Sequence, residues 1–75
     1  MGNELTLKAM HMKWTDIWLI AEELEAAHPD IDIPNVRFTD LKHMVCDLEE
    51  FTGEPAHCNE KLLEAIQAAW IQERE

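Results

Sequence analysis

Val36-Arg37-Phe38-Thr39-Asp40-Leu41-Lys42-His43-Met44-Val45-Cys46-Asp47-Leu48-Glu49-Glu50-Phe51 reads as a short extended lead, a capped helix and an exit into an acidic turn. Thr39 is the expected N-cap, because its hydroxyl can accept from one of the orphan amides that open a helix. Asp40 then falls in the first turn, where the helix dipole favours a negative charge. Leu41, Met44, Val45 and Leu48 recur at i, i+3, i+4 and i+7 and form one apolar stripe. Such a stripe needs partners, and a helical pattern lies on each side of it.

Upstream, Thr15 is the expected N-cap of a first helix, with Asp16 in its first turn and Ile17, Ile20, Ala21, Leu24 and Ala27 facing inward. His28-Pro29-Asp30 ends it, since proline cannot continue the ladder and displaces the residue before it. Ile31 to Asn35 is a turn-rich crossing, and Val36-Arg37-Phe38 is expected to be extended but too short for a sheet of its own. Downstream, Thr52-Gly53-Glu54-Pro55 is a loop by composition. Asn59 caps a third helix with Glu60 in its first turn, and Leu62, Leu63, Ile66, Ala69 and Trp70 form its stripe. The fold expected is an all-α, three-helix domain over residues 13–75, with residues 1–12 as a loosely held extension.

The 75 residues allow one small domain with a thin core and no enclosed active site of ordinary size. A hydrophobic content of 47% suits a folded globule and is too high for disorder. Sixteen acids against six bases give a formal net charge of -10. Nucleic acids and anionic membranes would repel such a chain, so basic protein surfaces and cations are the partners expected. The longest apolar run, Ile17 to Ala21, is far too short to span a membrane. Two cysteines are too few for a disulfide framework and suggest a reducing compartment.

Carboxylates fall into three groups: Asp16, Glu22, Glu23 and Glu25; then Asp47, Glu49, Glu50 and Glu54; then Glu60, Glu64, Glu73 and Glu75. A solvated face explains any of them by default. The second group is unusual because it collects at the end of a helix, where the dipole disfavours each negative charge by roughly 0.3–1 kcal/mol. Charge kept at an unfavourable place points to use, and these oxygens suit a basic partner surface or a weakly held divalent ion. Asp47, Glu49, Glu50 and Glu54 are therefore the candidate partner-binding acids. Trp18 falls beside the inward stripe of the first helix. It either packs under the N-terminal segment or anchors a partner. Arg37, a lone base among acids, is expected to form a structural ion pair. His43, Cys46, His57 and Cys58 carry the right atoms for zinc but lack the two tight ligand pairs of a structural site, so ordinary thiols are expected. No nucleophile has a positioned base, which argues against an enzyme.

Several blocks agree in order and spacing with a known family. They are Lys13-Trp14-Thr15-Asp16, Pro29-Asp30-Ile31-Asp32, Val36 to Leu41, Cys46-Asp47-Leu48-Glu49-Glu50-Phe51, Asn59 to Ile66, and Trp70-Ile71-Gln72-Glu73. The chain resembles IscX, the small acidic protein of bacterial iron–sulfur cluster assembly. The resemblance implies a fold akin to a modified winged helix and a cytoplasmic, non-enzymatic adaptor. Such an adaptor binds the cysteine desulfurase, modulates sulfur delivery, and takes ferrous iron weakly through surface carboxylates. A monomer is expected. Asp16 and Glu22 match acidic family positions and are the implied iron ligands. Leu19 stands where the family has an acid, and Glu23 can compensate from the next turn. Trp18 likewise replaces a polar residue. The alternatives are a winged-helix nucleic-acid binder, opposed by the charge, and an unrelated interaction domain.

Overall fold

A computed structural model describes residues 12–75. Three α-helices surround one core: α1 (Ile17–Ala27), α2 (Phe38–Cys46) and α3 (Glu60–Arg74). Short 3-10 turns at Ile33–Asn35 and Pro55–His57 connect them. No strand occurs among the described residues, so the all-α expectation stands.

The helix boundaries follow packing more closely than local propensity. α1 begins one residue later than expected, because Asp16, not Thr15, is its N-cap. The Asp16 carboxylate turns back to accept from the Lys13 amide at 2.8 Å, while the Asp16 amide donates to the Lys13 carbonyl at 2.9 Å. A closed turn over 13–16 therefore holds Thr15 outside the helix. Ile20, Ala21 and Leu24 are buried as the stripe requires, Ile17 is half-buried, and Ala27 is exposed.

α2 begins earlier than expected. Val36 and Arg37 are extended, but Phe38 is already helical, and Arg37 rather than Thr39 holds the N-cap position. The Leu41 amide donates to the Arg37 carbonyl at 2.8 Å, the first bond of the helix. Half-buried Phe38 packs against the core and draws the start of the helix back to itself, leaving Asp40 in the first turn as expected. The helix stops at Cys46, so Leu48 packs on the core from a turn instead of from the stripe's fourth position. α3 follows the sequence closely: the Asn59 side chain accepts from the Leu62 amide at 2.9 Å, and Leu63, Ile66, Ala69 and Trp70 are buried.

Two long-range ties close the domain. In the first, Met12 forms an isolated parallel bridge with Phe51. Its amide donates to the Glu50 carbonyl at 2.9 Å, and its carbonyl accepts from the Thr52 amide at 2.8 Å. Met12, placed in the extension by the sequence reading, is 1% exposed and packs in the core; residues 1–11 lie outside those described. Buried Trp14 stands edge-on to Phe51, centroids 4.7 Å apart, and its indole N–H donates to the Glu54 carbonyl at 2.7 Å. Gly53 lies against both rings. A Cβ there would come within 2.6 Å of Phe51 and 2.9 Å of Trp14, closer than van der Waals contact permits.

The second tie joins α1 to the end of α3. Trp70 is fully buried, and its indole N–H donates to Glu25 Oε1 at 2.9 Å. Arg74 pairs with the same carboxylate at 2.9 Å, and also donates to the backbone carbonyls of Ile31 and of His28, the latter at 3.0 Å. Its guanidinium carbon stands 6.0 Å from the Trp70 ring. Gln67 adds a 2.9 Å hydrogen bond to the Ile33 carbonyl, fixing the crossing segment on α3. The ion pair expected at Arg37 is found at Arg74 instead; Arg37 is exposed and makes no salt bridge among the described residues.

Replacing Gly53 with Ala should cost about 1–3 kcal/mol of stability through overpacking, read as a lower urea midpoint at unchanged slope. The second tie sets a pH dependence. Hydrogen bonds from Arg74 and then from Trp70 hold the Glu25 carboxyl below its usual range, against a smaller opposing push from burial. A depressed acid contributes stability above its unfolded pKa, around 4–5, and that contribution disappears as pH falls through the lower folded value. Glu25→Gln should therefore lower stability at neutral pH and flatten the acid limb of a pH–melting profile.

Candidate functional site

No side chain that is polar or charged belongs to the buried set among the described residues, so every candidate group lies at the surface. Three shallow depressions divide these groups.

The first is acidic. Glu23, on α1, shares a depression of about 430 Å³ with Asp47, Glu49 and Glu50, over a floor of Ala26, Ala27 and Leu48. Asp47 is the C-cap of α2, and Glu49 and Glu50 occupy the turn after it rather than its last helical turn. The dipole penalty thus falls most directly on Asp47, which stands at the carbonyl end of the helix. The turn is held in place: the Asp47 amide donates to His43 at 3.0 Å, that of Leu48 to Val45 at 3.1 Å, and that of Phe51 to Leu48 at 3.0 Å. With the Glu50 carbonyl pinned by Met12, the backbone that carries these carboxylates is fixed on both sides.

Sequence spacing linked three of these four acids. It did not link Glu23 to them, because only the packing of α1 beside the α2 exit brings it there. Glu54 goes elsewhere, into a depression of about 440 Å³ with Lys13, His57 and Leu62 over the Trp14–Gly53 contact. Trp18 lies on a third surface, 55% exposed beside a groove between α1 and α3. Packing beneath the N-terminal segment, its other expected place, concerns residues outside those described.

Asp16, Glu22 and Glu23 do not converge. Asp16 is committed to the 13–16 turn, Glu22 is exposed, and Glu23 faces the acidic depression. Among the described residues no three His, Cys, Asp or Glu side chains stand close enough to hold a metal ion. The same applies to His43, Cys46, His57 and Cys58. Both cysteines are free and half-buried, and Cys46 has its thiol pKa pushed up, chiefly by burial. No helix of the described residues is long and apolar enough to cross a membrane.

Known proteins agree with this small acidic domain. The model of a family described as iron–sulphur cluster assembly matches residues 12–75. An uncharacterized protein of Pseudomonas aeruginosa is 48% identical over 66 residues, which cover 88% of this chain and all of that protein. The family match begins at Met12, the first described residue, which is part of the core.

A thiol with a raised pKa carries little thiolate at neutral pH. Cys46 should be alkylated by iodoacetamide more slowly than the cysteine of an unstructured peptide at pH 7.5. The difference should vanish in denaturant, as followed by peptide mass spectrometry.

Proposed function

Because the chain belongs to the iron–sulphur cluster assembly family, that of IscX, we propose that it is a non-enzymatic cytoplasmic adaptor for the cysteine desulfurase of that pathway. Its acidic face docks on a basic surface of the desulfurase and modulates sulfur delivery. The observation that carries this reading is the depression where Glu23 joins Asp47, Glu49 and Glu50. Four carboxylates on a fixed backbone, in a chain of net charge -10, concentrate the negative field at one place. Such a field speeds encounter with a cationic partner and sets orientation more than it adds raw affinity. The same field opposes the nucleic-acid alternative, which would need a basic surface to displace counterions.

The residues do not assemble a preformed iron site, since no three ligating groups converge among those described. Ferrous iron enters the proposal only as a weakly held counter-ion of this face. Bound there, it would lower the net negative charge and with it the attraction to a basic surface. The adaptor role does not depend on it.

Calorimetric titration of the chain into the desulfurase tests the proposal. Binding should weaken as salt rises, because exposed charges are screened within about 8–10 Å at physiological ionic strength. Replacing Asp47, Glu49 and Glu50 together by Asn, Gln and Gln should weaken it about tenfold. Binding indifferent to both salt and this triple change would overturn the electrostatic docking. Absence of binding at any salt would overturn the adaptor role itself. Anaerobic addition of ferrous iron should reduce affinity, and no change would remove iron from the proposal.

A further inference from the structure

The groove between α1 and α3 differs in kind from the acidic depression. Ile17 and Trp18 form one wall, and Ala65, Ala68 and Gln72 line the other, around about 470 Å³ of open space. Alanines at i, i+3 and i+4 make a trough where longer side chains would make a ridge. Trp18 is the exposed large hydrophobic residue of the described domain, with 55% of its surface open. A bulky apolar wall beside a trough of small side chains is the form that receives a single anchoring side chain.

The rim decides what kind of anchor fits. Glu22 lies one helical turn beyond Trp18, Glu64 one turn before Ala68, and Glu75 one turn beyond Gln72; all three are exposed. Lys61, one turn before Ala65, and Lys13, four positions before Ile17, are the bases at that spacing, two against these three acids. The apolar trough is therefore edged by net negative charge. A second copy of this chain would bring an acidic rim against an acidic rim, and each copy carries a net charge of -10. Nucleic acid and anionic lipid meet the same repulsion. A segment that offers one apolar side chain between lysines or arginines satisfies both the trough and the rim.

We propose that the α1/α3 groove is a second docking site, which takes a bulky apolar side chain from a Lys/Arg-flanked segment of a partner protein. The site is separate from the Glu23–Glu50 depression and does not depend on which protein supplies the segment. Trp18 provides the contact wall, Ala65 and Ala68 provide the space, and Glu22 and Glu64 orient the flanking cations.

Three synthetic peptides test this against the isotope-labelled full chain by NMR. The first alternates Lys and Arg with Leu at helical spacing, the second has Ser for each Leu, and the third keeps Leu but has Glu for each base. The Leu-bearing basic peptide should shift the Trp18 indole resonance and the Ala65 and Ala68 amides, and should bind about tenfold more tightly than the other two. Trp18→Ser and Ala68→Leu, both at exposed positions that the fold tolerates, should each abolish that advantage. Equal affinity of the Leu and Ser peptides would overturn the anchor, and equal affinity of the acidic peptide would overturn the role of the rim. Shifts confined to Glu23 and Asp47–Glu50 would show that only the acidic face is used. A dimer that dissociates on Trp18→Ser would reassign the groove to self-association.

Discussion

A buried indole cannot leave its N–H unpaired, and most of this structure follows from how Trp70 meets that requirement. Its side chain is completely enclosed, so the donor must find an acceptor inside the shell of packed residues, and Glu25 supplies it. A carboxylate drawn into that position would be costly alone. Arg74, one turn after Trp70 on the same helix, lies against it and spreads its remaining donors over the carbonyls of His28 and Ile31. One helix end thereby satisfies a core aromatic, a half-buried acid and the turn that follows α1. Pro29 stops α1 locally, and the carbonyls of His28 and Ile31 on either side of the stop meet the same cation.

The regular parts of the molecule were legible in the sequence because their causes are local. Asn59 caps α3 and Pro29 stops α1 by chemistry that acts within a turn. The misplacements have longer-range causes. Thr39 is a better cap than Arg37 by propensity, yet Phe38 gains more from helical packing on the core than a hydroxyl cap would provide. Thr15 lost its cap position to a carboxylate that closes a turn on Lys13. Met12 carries no periodic signal, and only its pairing with Phe51, 39 positions away, makes it core. The candidate surface shows the same division. Asp47, Glu49 and Glu50 are neighbours in sequence and could be read together. Glu23 joins them through tertiary packing, and Glu54 departs because its backbone is held by Trp14. Arg37 looked like the paired base for want of any local reason to choose Arg74.

Keeping all charge outside has a mechanical side. The core is a single apolar layer, so the excess of carboxylates contributes nothing to it and repels itself across a small radius. Part of that strain is relieved by Arg74, and part of it is concentrated where the α2 carbonyl end meets Asp47. A partner that covers the acidic depression would relieve the remainder. Stability and recognition are thus linked by mass action, and the complexed chain should be the more stable one.

The tie between Glu25 and Arg74 spans 49 positions, and it bears on how the protein is made. On a ribosome α1 and α2 emerge first, with few contacts between them, while the helix that holds both together is still unformed. Until α3 arrives, Ile20, Leu24, Leu41 and Val45 lack the surface that covers them. An α1–α2 pair without α3 has nothing to close it, so the domain should fold as one cooperative unit that is complete only when Trp70 and Arg74 are in place.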